Sequence, residues 1–466
     1  MLSLTIAFRN IFRNRRRSLT TLSTIAVGAI AILTFGAYVT YIQLGVQTGA
    51  VQSNGHLQIF KNGYFTYGSG APADWGIPGY GSVVHLIQTD PTIMPLAEVV
   101  TPIQVLAGIA GNFTRNTSKT FLGRGFIPSD RDRMKQWNEY GTGSQGLRHS
   151  GMRESDPSTG IAGVGLVTIL GLCSDLRLDD CPPERKPPRA KSADETLAPP
   201  PVDIAELARL DIAGVVSPGA PTIDLLSATS GGAPNVVSLK IGRVERQTVK
   251  EFDDNFVGMT LSLAQDLVYG RGEHLATGIV VQLHRTEDLP KVRERLQSLF
   301  AEHGLDLEIR DFAELTPQYD QIINLFGSIF TFITLVMAII VVFTVSNAMG
   351  MSVFERIDEI GTTRAMGLRR SGIRRQFLIE GSLLGLVGAT FGVILAHIVG
   401  SLINQAGMSW TPPGAPEPVP LRVYMEGAWI LTAGTWAGLI VIAALAAWLP
   451  AHRGARLQVV DALRHV

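Results

Sequence analysis

The sequence predicts a membrane protein of four transmembrane α-helices, with a large α+β extracytoplasmic domain inserted between the first and second helices. Three observations predict it. Four long runs carry no charged residue: Leu19–Gln47, Gln321–Phe354, Gly381–Pro416 and Gly427–Leu449. Each holds the roughly twenty apolar residues a helix needs to cross a bilayer. The arginines gather beside these runs. Arg9, Arg13, Arg15, Arg16 and Arg17 precede the first; Arg356, Arg364, Arg369, Arg370, Arg374 and Arg375 separate the second and third; Arg453, Arg456 and Arg464 follow the fourth. Basic residues flank spans on the cytoplasmic side. Both termini and the 353–375 loop are therefore expected in the cytoplasm, and the long polar segment between the first two runs outside it.

In chain order, the first element expected is a cytoplasmic interfacial helix at 1–18. Leu4, Phe8, Ile11 and Phe12 fall on one face, with Arg9, Arg13, Arg16 and Arg17 elsewhere. The first span follows at 19–45. Its apolar run is too long for a cleaved signal peptide, and no small-residue cleavage site follows it. The other spans are placed at 321–350, 376–403 and 427–449. A cytoplasmic segment at 351–375 and an external loop at 404–426 separate them, and a cytoplasmic tail at 450–466 ends the chain. In the third span Gly381, Gly385, Gly388 and Gly392 recur at helical spacing; Gly427, Gly434 and Gly438 repeat the pattern in the fourth. Such stripes let helices approach closely in lipid, within one chain or between two. His397 lies in the third span as a packing or hydrogen-bonding residue.

The segment Val353–Gly372 lies between two spans. Val353, Ile357, Ile360 and Leu368 recur at helical spacing, with Phe354, Gly361 and Ala365 on the same side and Glu355, Arg356, Asp358 and Glu359 opposite. Gly367 is a helix stop, and Ser371 a cap for the next helix. The spacing predicts a short amphipathic helix at the membrane surface.

Residues 46–320 read as the α+β domain, with its ends forming a stalk on the first two spans. Its final part is the clearest. Gly278–His284 alternates like a strand, Leu289–Glu302 has the apolar face of a helix with Thr286 as its cap, and Leu307–Arg310 reads as another strand. His56–Phe60, Val99–Ile109 and Asn235–Val244 also read as strands. Near 173–203 seven prolines and many charges make a flexible excursion. Cys173 and Cys181, the two cysteines of the chain, either close a disulfide there or remain as two thiols.

Chemistry is conspicuous for what is missing. There are 40 basic and 40 acidic residues, so no net field points to nucleic acid. No G-x-x-x-x-G-K-[ST], H-E-x-x-H, G-x-S-x-G or dinucleotide fingerprint occurs. Without a C-x-x-C, no zinc site is expected. The chain is expected to be non-catalytic, with no cofactor or metal of its own.

Four pieces then carry a family resemblance. AFRNIFRNRRRSLTTL opens the chain, ERIDEIGTTRAMGLRRSGIRRQFLIEG follows the second span, PAHRGARLQVVDALRH ends the chain, and GHLQIFKNGY follows the first span. The chain resembles the permease subunits of the MacB/FtsX-like class of ABC transporters, and is most similar to the lipoprotein-releasing LolC/LolE type. Gly454 and Val459 stand where that pattern often has alanine and proline. The resemblance implies an inner-membrane permease working with a separate ABC ATPase dimer, which binds the ATP and Mg. It also implies a second permease copy or paralogue, contact with membrane lipids, and a periplasmic adaptor or acceptor protein. Carried over residue by residue, Glu355, Glu359, Ile360, Gly361, Arg364, Ala365, Met366 and Gly367 form the coupling helix that docks on the ATPase. The implied activity is mechanical: ATP hydrolysis drives extraction or export of a lipidic or lipoprotein substrate outside the membrane. The alternatives are MacB-like efflux of a drug or peptide, FtsX-like signalling to a cell-wall hydrolase, and a receptor with no ATPase.

Overall fold

The computed structural model describes residues 13, 15–142, 149–178, 221–247, 249–270, 272–411, 418–425 and 427–456. Most of the interfacial helix expected at 1–18 lies outside them, and its residues 15–18 begin α1. Cys181, most of the excursion near 173–203, and the tail from 457 also lie outside them.

The elements run as follows: α1 Arg15–Asn54, β1 Leu57–Lys61, α2 Tyr80–Thr89, β2 Ala97–Asn112, β3 Thr117–Phe126, α3 Pro128–Gln136, β4 Thr159–Ala162, α4 Val164–Ile169, β5 Thr222–Ala228, β6 Pro234–Val244. Then come α5 Lys250–Asp253, β7 Phe256–Thr260, α6 Leu261–Tyr269, β8 Gly278–Leu283, α7 Leu289–Glu302, β9 Leu307–Asp311 and α8 Phe312–Leu315. The chain continues with α9 Pro317–Phe354, α10 Ile357–Ala365, α11 Arg370–Ala406, β10 Ser409–Trp410, β11 Val419–Pro420 and α12 Trp429–Ala455. It divides into two compact units, one of residues 1–46, 317–411 and 418–466, the other of 47–316 and 412–417.

In the first unit, α1, α9, α11 and α12 are each long and apolar enough to cross a membrane. α1, α9 and α11 overrun the expected spans at both ends, and α12 at its C-terminal end only. The uncharged runs mark only the stretch that must lie in hydrocarbon, and helical hydrogen bonding continues through the polar flanks. Ile25 and Ala29 of α1, Val341 and Val345 of α9, Leu384 and Ala389 of α11, and Leu439 and Ala443 of α12 pack into one buried cluster. Leu335, Phe343, Phe391 and Leu445 are left exposed on the outside. That is stable only against another apolar medium. A two-stranded β10–β11 hairpin joins α11 to α12. Asn404 fastens the return, donating to the Val423 carbonyl at 3.0 Å and accepting from its N–H at 2.8 Å.

The second unit is built on one nine-stranded sheet, in the order β3-β7-β4-β6-β5-β2-β8-β1-β9. An additional β2–β3 pairing closes its first six strands into a ring. β2 makes this possible by its length. Residues 97–103 pair with β8 and residues 104–112 with β3. Leu106, Phe121, Leu225, Leu239 and Val257 fill the ring together with Ala264, Leu267 and Val268 of α6. A separate core lies on the open part of the sheet. There Leu57, Ile59, Ile279 and Val281 pack on Ile87 of α2 and on Val292, Leu296 and Phe300 of α7.

The expected strand–helix–strand at the end of this unit is present as β8–α7–β9, with β1 inserted antiparallel between the two strands. Thr286 does not cap α7. It opens a 3-10 turn, and its hydroxyl donates to Glu139 Oε2 at 3.0 Å instead. Nor does Ser371 cap α11, which begins one residue earlier, at Arg370, behind an Arg369 N-cap.

Candidate coupling site

The turn between α9 and α11 is set by two local events. At the end of α9 the Arg356 N–H turns back to the Val353 carbonyl at 3.2 Å, which breaks the helix after Phe354. α10 then starts, with Ile360 N–H on the Arg356 carbonyl at 2.9 Å. It stops at Gly367, whose φ of +99° is a conformation that side-chain-bearing residues resist. The expected single amphipathic helix is thus two helical segments with an elbow at Glu355–Arg356. The elbow rotates Phe354 off the apolar side, where it is 71% exposed.

The predicted coupling residues separate into three groups. Glu355 accepts from Arg17 at 2.8 Å and Glu359 from Arg13 at 3.0 Å, tying the segment to the start of α1. Ile360 and Gly361 are buried. Ile360 belongs to the same buried cluster of its own bundle as Val353, Ile373, Phe377 and Ala451. Arg364 is half-buried, whereas Ala365, Met366 and Gly367 are exposed, Met366 at 79%. With exposed Leu368 they form a small apolar tip, beside the exposed Asp358 and Thr362 of α10.

A pair that the pattern reading missed lies behind this surface. Arg356 and Glu380 are buried, their side chains 3% and 4% exposed. Nη1 donates to Oε2 at 3.2 Å and Nη2 to Oε1 at 3.5 Å. The signal was in the sequence: Glu380 borders the uncharged run Gly381–Pro416, and Arg356 follows the run Gln321–Phe354 with only Glu355 between. Placing Arg356 on the charged face of the segment, and giving Glu380 no role, hid that the helix pair brings them together.

The glycine stripe resolves into packing inside the chain. A Cβ on Gly381 would strike Ala447 of α12, and one on Gly385 would come within 2.7 Å of Ala443. At Gly388 it would meet Ile25 of α1 at 2.9 Å, and at Gly392 Ala29 at 2.6 Å. Gly434 and Gly438 have nothing within 4 Å. Their stripe is not part of this packing. His397 bonds through Nδ1 to the Val393 carbonyl of its own helix at 2.9 Å.

In the α+β unit, the last residues of α1 are held by a dense polar junction. Gln52 donates to the Trp137 carbonyl at 2.7 Å, and Gln282 to the Val51 carbonyl at 3.2 Å. Arg124 donates to the Ser53 carbonyl at 2.7 Å and to Asn54 Oδ1 at 3.1 Å, satisfying free acceptors of the helix end. His56 is fully buried. Its Nδ1 accepts the Leu283 N–H at 2.9 Å, so the proton must sit on Nε2, 3.2 Å from Thr286 Oγ1. Burial pushes this imidazole down to about 4. Cys173 is buried in the same unit; its expected partner, Cys181, lies outside the described residues. Among the described residues, no group of three His, Cys, Asp or Glu side chains is placed to hold a metal.

Comparison with known proteins bears on the helical unit. Residues 331–459 match the FtsX-like permease C-terminal family. An uncharacterized ABC transporter permease of Methanocaldococcus jannaschii is 26% identical over 228 residues, covering 47% of this chain and 53% of that protein. The macrolide export ATP-binding/permease protein MacB of Escherichia coli is 27% identical over 194 residues, covering 41% of this chain and 28% of MacB. MacB of Shewanella sp. strain W3-18-1 is 32% identical over 227 residues, covering 46% of this chain and 32% of that protein. The chain therefore spans about half or less of the length of these relatives. In its sequence the chain resembles the MacB/FtsX-like ABC transporter permeases, and the elbow, α10, α11 and α12 lie inside the FtsX-like match.

Proposed function

We propose that the chain is the non-catalytic permease subunit of an ABC transporter of the mechanical type, in the bacterial inner membrane. ATP and Mg are bound by an ATPase module outside these 466 residues, since no P-loop occurs within them. The observation that carries the reading is the exposed tip Ala365–Leu368. It lies within the FtsX-like region, on a short helix whose other face is buried in its own bundle. A rigid helix with a small apolar tip suits insertion into a groove on a partner. The arginine bias supports a cytoplasmic position for this tip and for both termini, with the α+β unit on the opposite side. Arg356 and Glu380 are paired with each other at the end of the spans, and no charged residue lies in the apolar cores. That favours mechanical transmission over passage of an ion through the bundle.

The substrate in this reading is a lipidic molecule or a lipoprotein, taken up on the outer side. The similarity to MacB proteins favours a second reading, efflux of a drug or peptide. A homodimer or heterodimer of permeases on an ATPase dimer, with a periplasmic adaptor or acceptor, completes the proposed assembly.

The test is purification of the tagged full chain from native membranes. An ABC ATPase is expected to travel with it, and Met366→Asp to reduce that ATPase at least about tenfold by setting a charge into an apolar contact. Absence of any ATPase from the wild-type preparation overturns the permease reading. Stimulation of the complex's ATP hydrolysis by a triacylated lipoprotein, against stimulation by a macrolide, decides between the substrates.

A further inference from the structure

We infer that Arg356 and Glu380 are a positioning pair that holds the α10 tip in one geometry against α11. The inference rests on the proposed function only for its purpose, not for its geometry. Arg356 occupies the elbow itself, with φ −120° and ψ 22°, outside both α9 and α10. Its guanidinium faces the Glu380 carboxylate as a two-pronged fork, both side chains withdrawn from solvent. Glu380 is in turn fixed, because the adjacent Gly381 lies against Ala447 of α12.

The other ties on the segment are of a different kind. Val353, Ile360, Ile373 and Phe377 meet through apolar contact, which is non-directional and lets packed helices slide by small shear. The pairs Arg17–Glu355 and Arg13–Glu359 are partly exposed, and pairs of this kind are weak and screened by salt. A bidentate charge pair in a low-dielectric setting resists both sliding and rotation. A displacement of the tip is therefore delivered to α11 through Arg356 and Glu380, ahead of α1.

Replacing a buried ion pair with apolar residues of similar volume tends to preserve stability, whereas removing one partner does not. This separates positioning from mere support. The experiment is hydrogen–deuterium exchange on the full chain in lipid nanodiscs, comparing wild type, the double variant Arg356→Met with Glu380→Leu, and the reversed pair Arg356→Glu with Glu380→Arg. The expected result for the apolar double variant is an unchanged melting temperature, unchanged exchange in residues 384–400, and exchange in residues 357–368 faster by about tenfold. The reversed pair should return exchange in 357–368 toward the wild-type rate. If the apolar variant protects 357–368 to within about twofold of wild type, the pair does not position the tip and the inference fails. If melting temperature and exchange change throughout the bundle, the pair is general support and the inference also fails. The chain alone is measured, so failure to find an ATPase overturns the proposed function and leaves this result standing.

Discussion

Lowering the pH should loosen the strands around His56 well before it protonates ordinary carboxylates. Burial pushes this imidazole from its ordinary 6.5 down to about 4. Its Nδ1 faces the Leu283 N–H at 2.9 Å, so a proton added there would set donor against donor. In the unfolded or locally open state the ring takes up a proton near pH 6.5. The closed state refuses it until about pH 4. Stability from the neutral ring is therefore fully present above pH 6.5 and lost progressively as pH falls toward 4. At about 1.4 kcal/mol per pH unit, the gap is worth roughly 3 kcal/mol, or a few hundredfold in an opening equilibrium. The assay is amide exchange of β1 and β8 in the full chain between pH 7.5 and 4, corrected for intrinsic exchange. The comparison variant is His56→Asn, whose carbonyl can accept the Leu283 N–H and cannot titrate. Wild type should lose its protection relative to the variant across that window. Parallel profiles for the two proteins would refute the assignment of a buried neutral imidazole.

Three further outcomes follow from the packing. Gly392→Leu places a side chain where even a Cβ would lie 2.6 Å from Ala29; it should cost about 1–3 kcal/mol and lower the melting temperature in detergent. Gly434→Ala meets nothing within 4 Å and should be neutral, or stabilise α12 by up to about 1 kcal/mol, in the same melting measurement. Glu245→Gln removes the counter-charge shared by Arg131 and by Lys135, 3.3 Å away, whose ammonium burial already holds below its usual range. It should destabilise the α+β unit by about 3–5 kcal/mol, read as faster exchange in α3 and β6.

The spans were legible because the absence of charge over some twenty residues is a bulk property that needs no partner. β8, α7 and β9 were legible for a related reason: their patterns are short and local, and α7 has a single buried face. The ring of strands was not. β3 opens with Thr117, Ser118, Lys119 and Thr120, which alternate too weakly to announce a strand, and β4 has four residues. β4 is held by distant pairing to β6, and β3, beyond its hairpin with β2, pairs in parallel with the distant β7. The two misplaced caps failed for another reason. Thr286 opens a 3-10 turn ahead of Asp288, the N-cap of α7, and Glu139 and His56, far away in sequence, claim its hydroxyl. At the coupling site the exposed tip and the buried Ile360 share one helical pattern. Both follow the elbow at Arg356, and what divides them is the end of α10, where Gly367 takes a φ of +99°.

Each unit collects unusual buried polar groups where a long helix ends. At the end of α9 they are Ser352, Arg356 and Glu380; at the end of α1 they are Gln52, His56, Gln58 and Gln282. Apolar side chains at these positions would bury area without having to satisfy any hydrogen bond, so stability does not require polar ones. Apolar contacts, however, permit many nearly equal arrangements. The fork between Arg356 and Glu380 permits far fewer, and so does a ring in which Gln52, Gln282 and Arg124 each grip a carbonyl of a fixed residue. A helix that ends in such a junction cannot roll or slip there without breaking directional bonds. That is what the proposed mechanical transmission requires of a helix that passes on displacement rather than absorbing it.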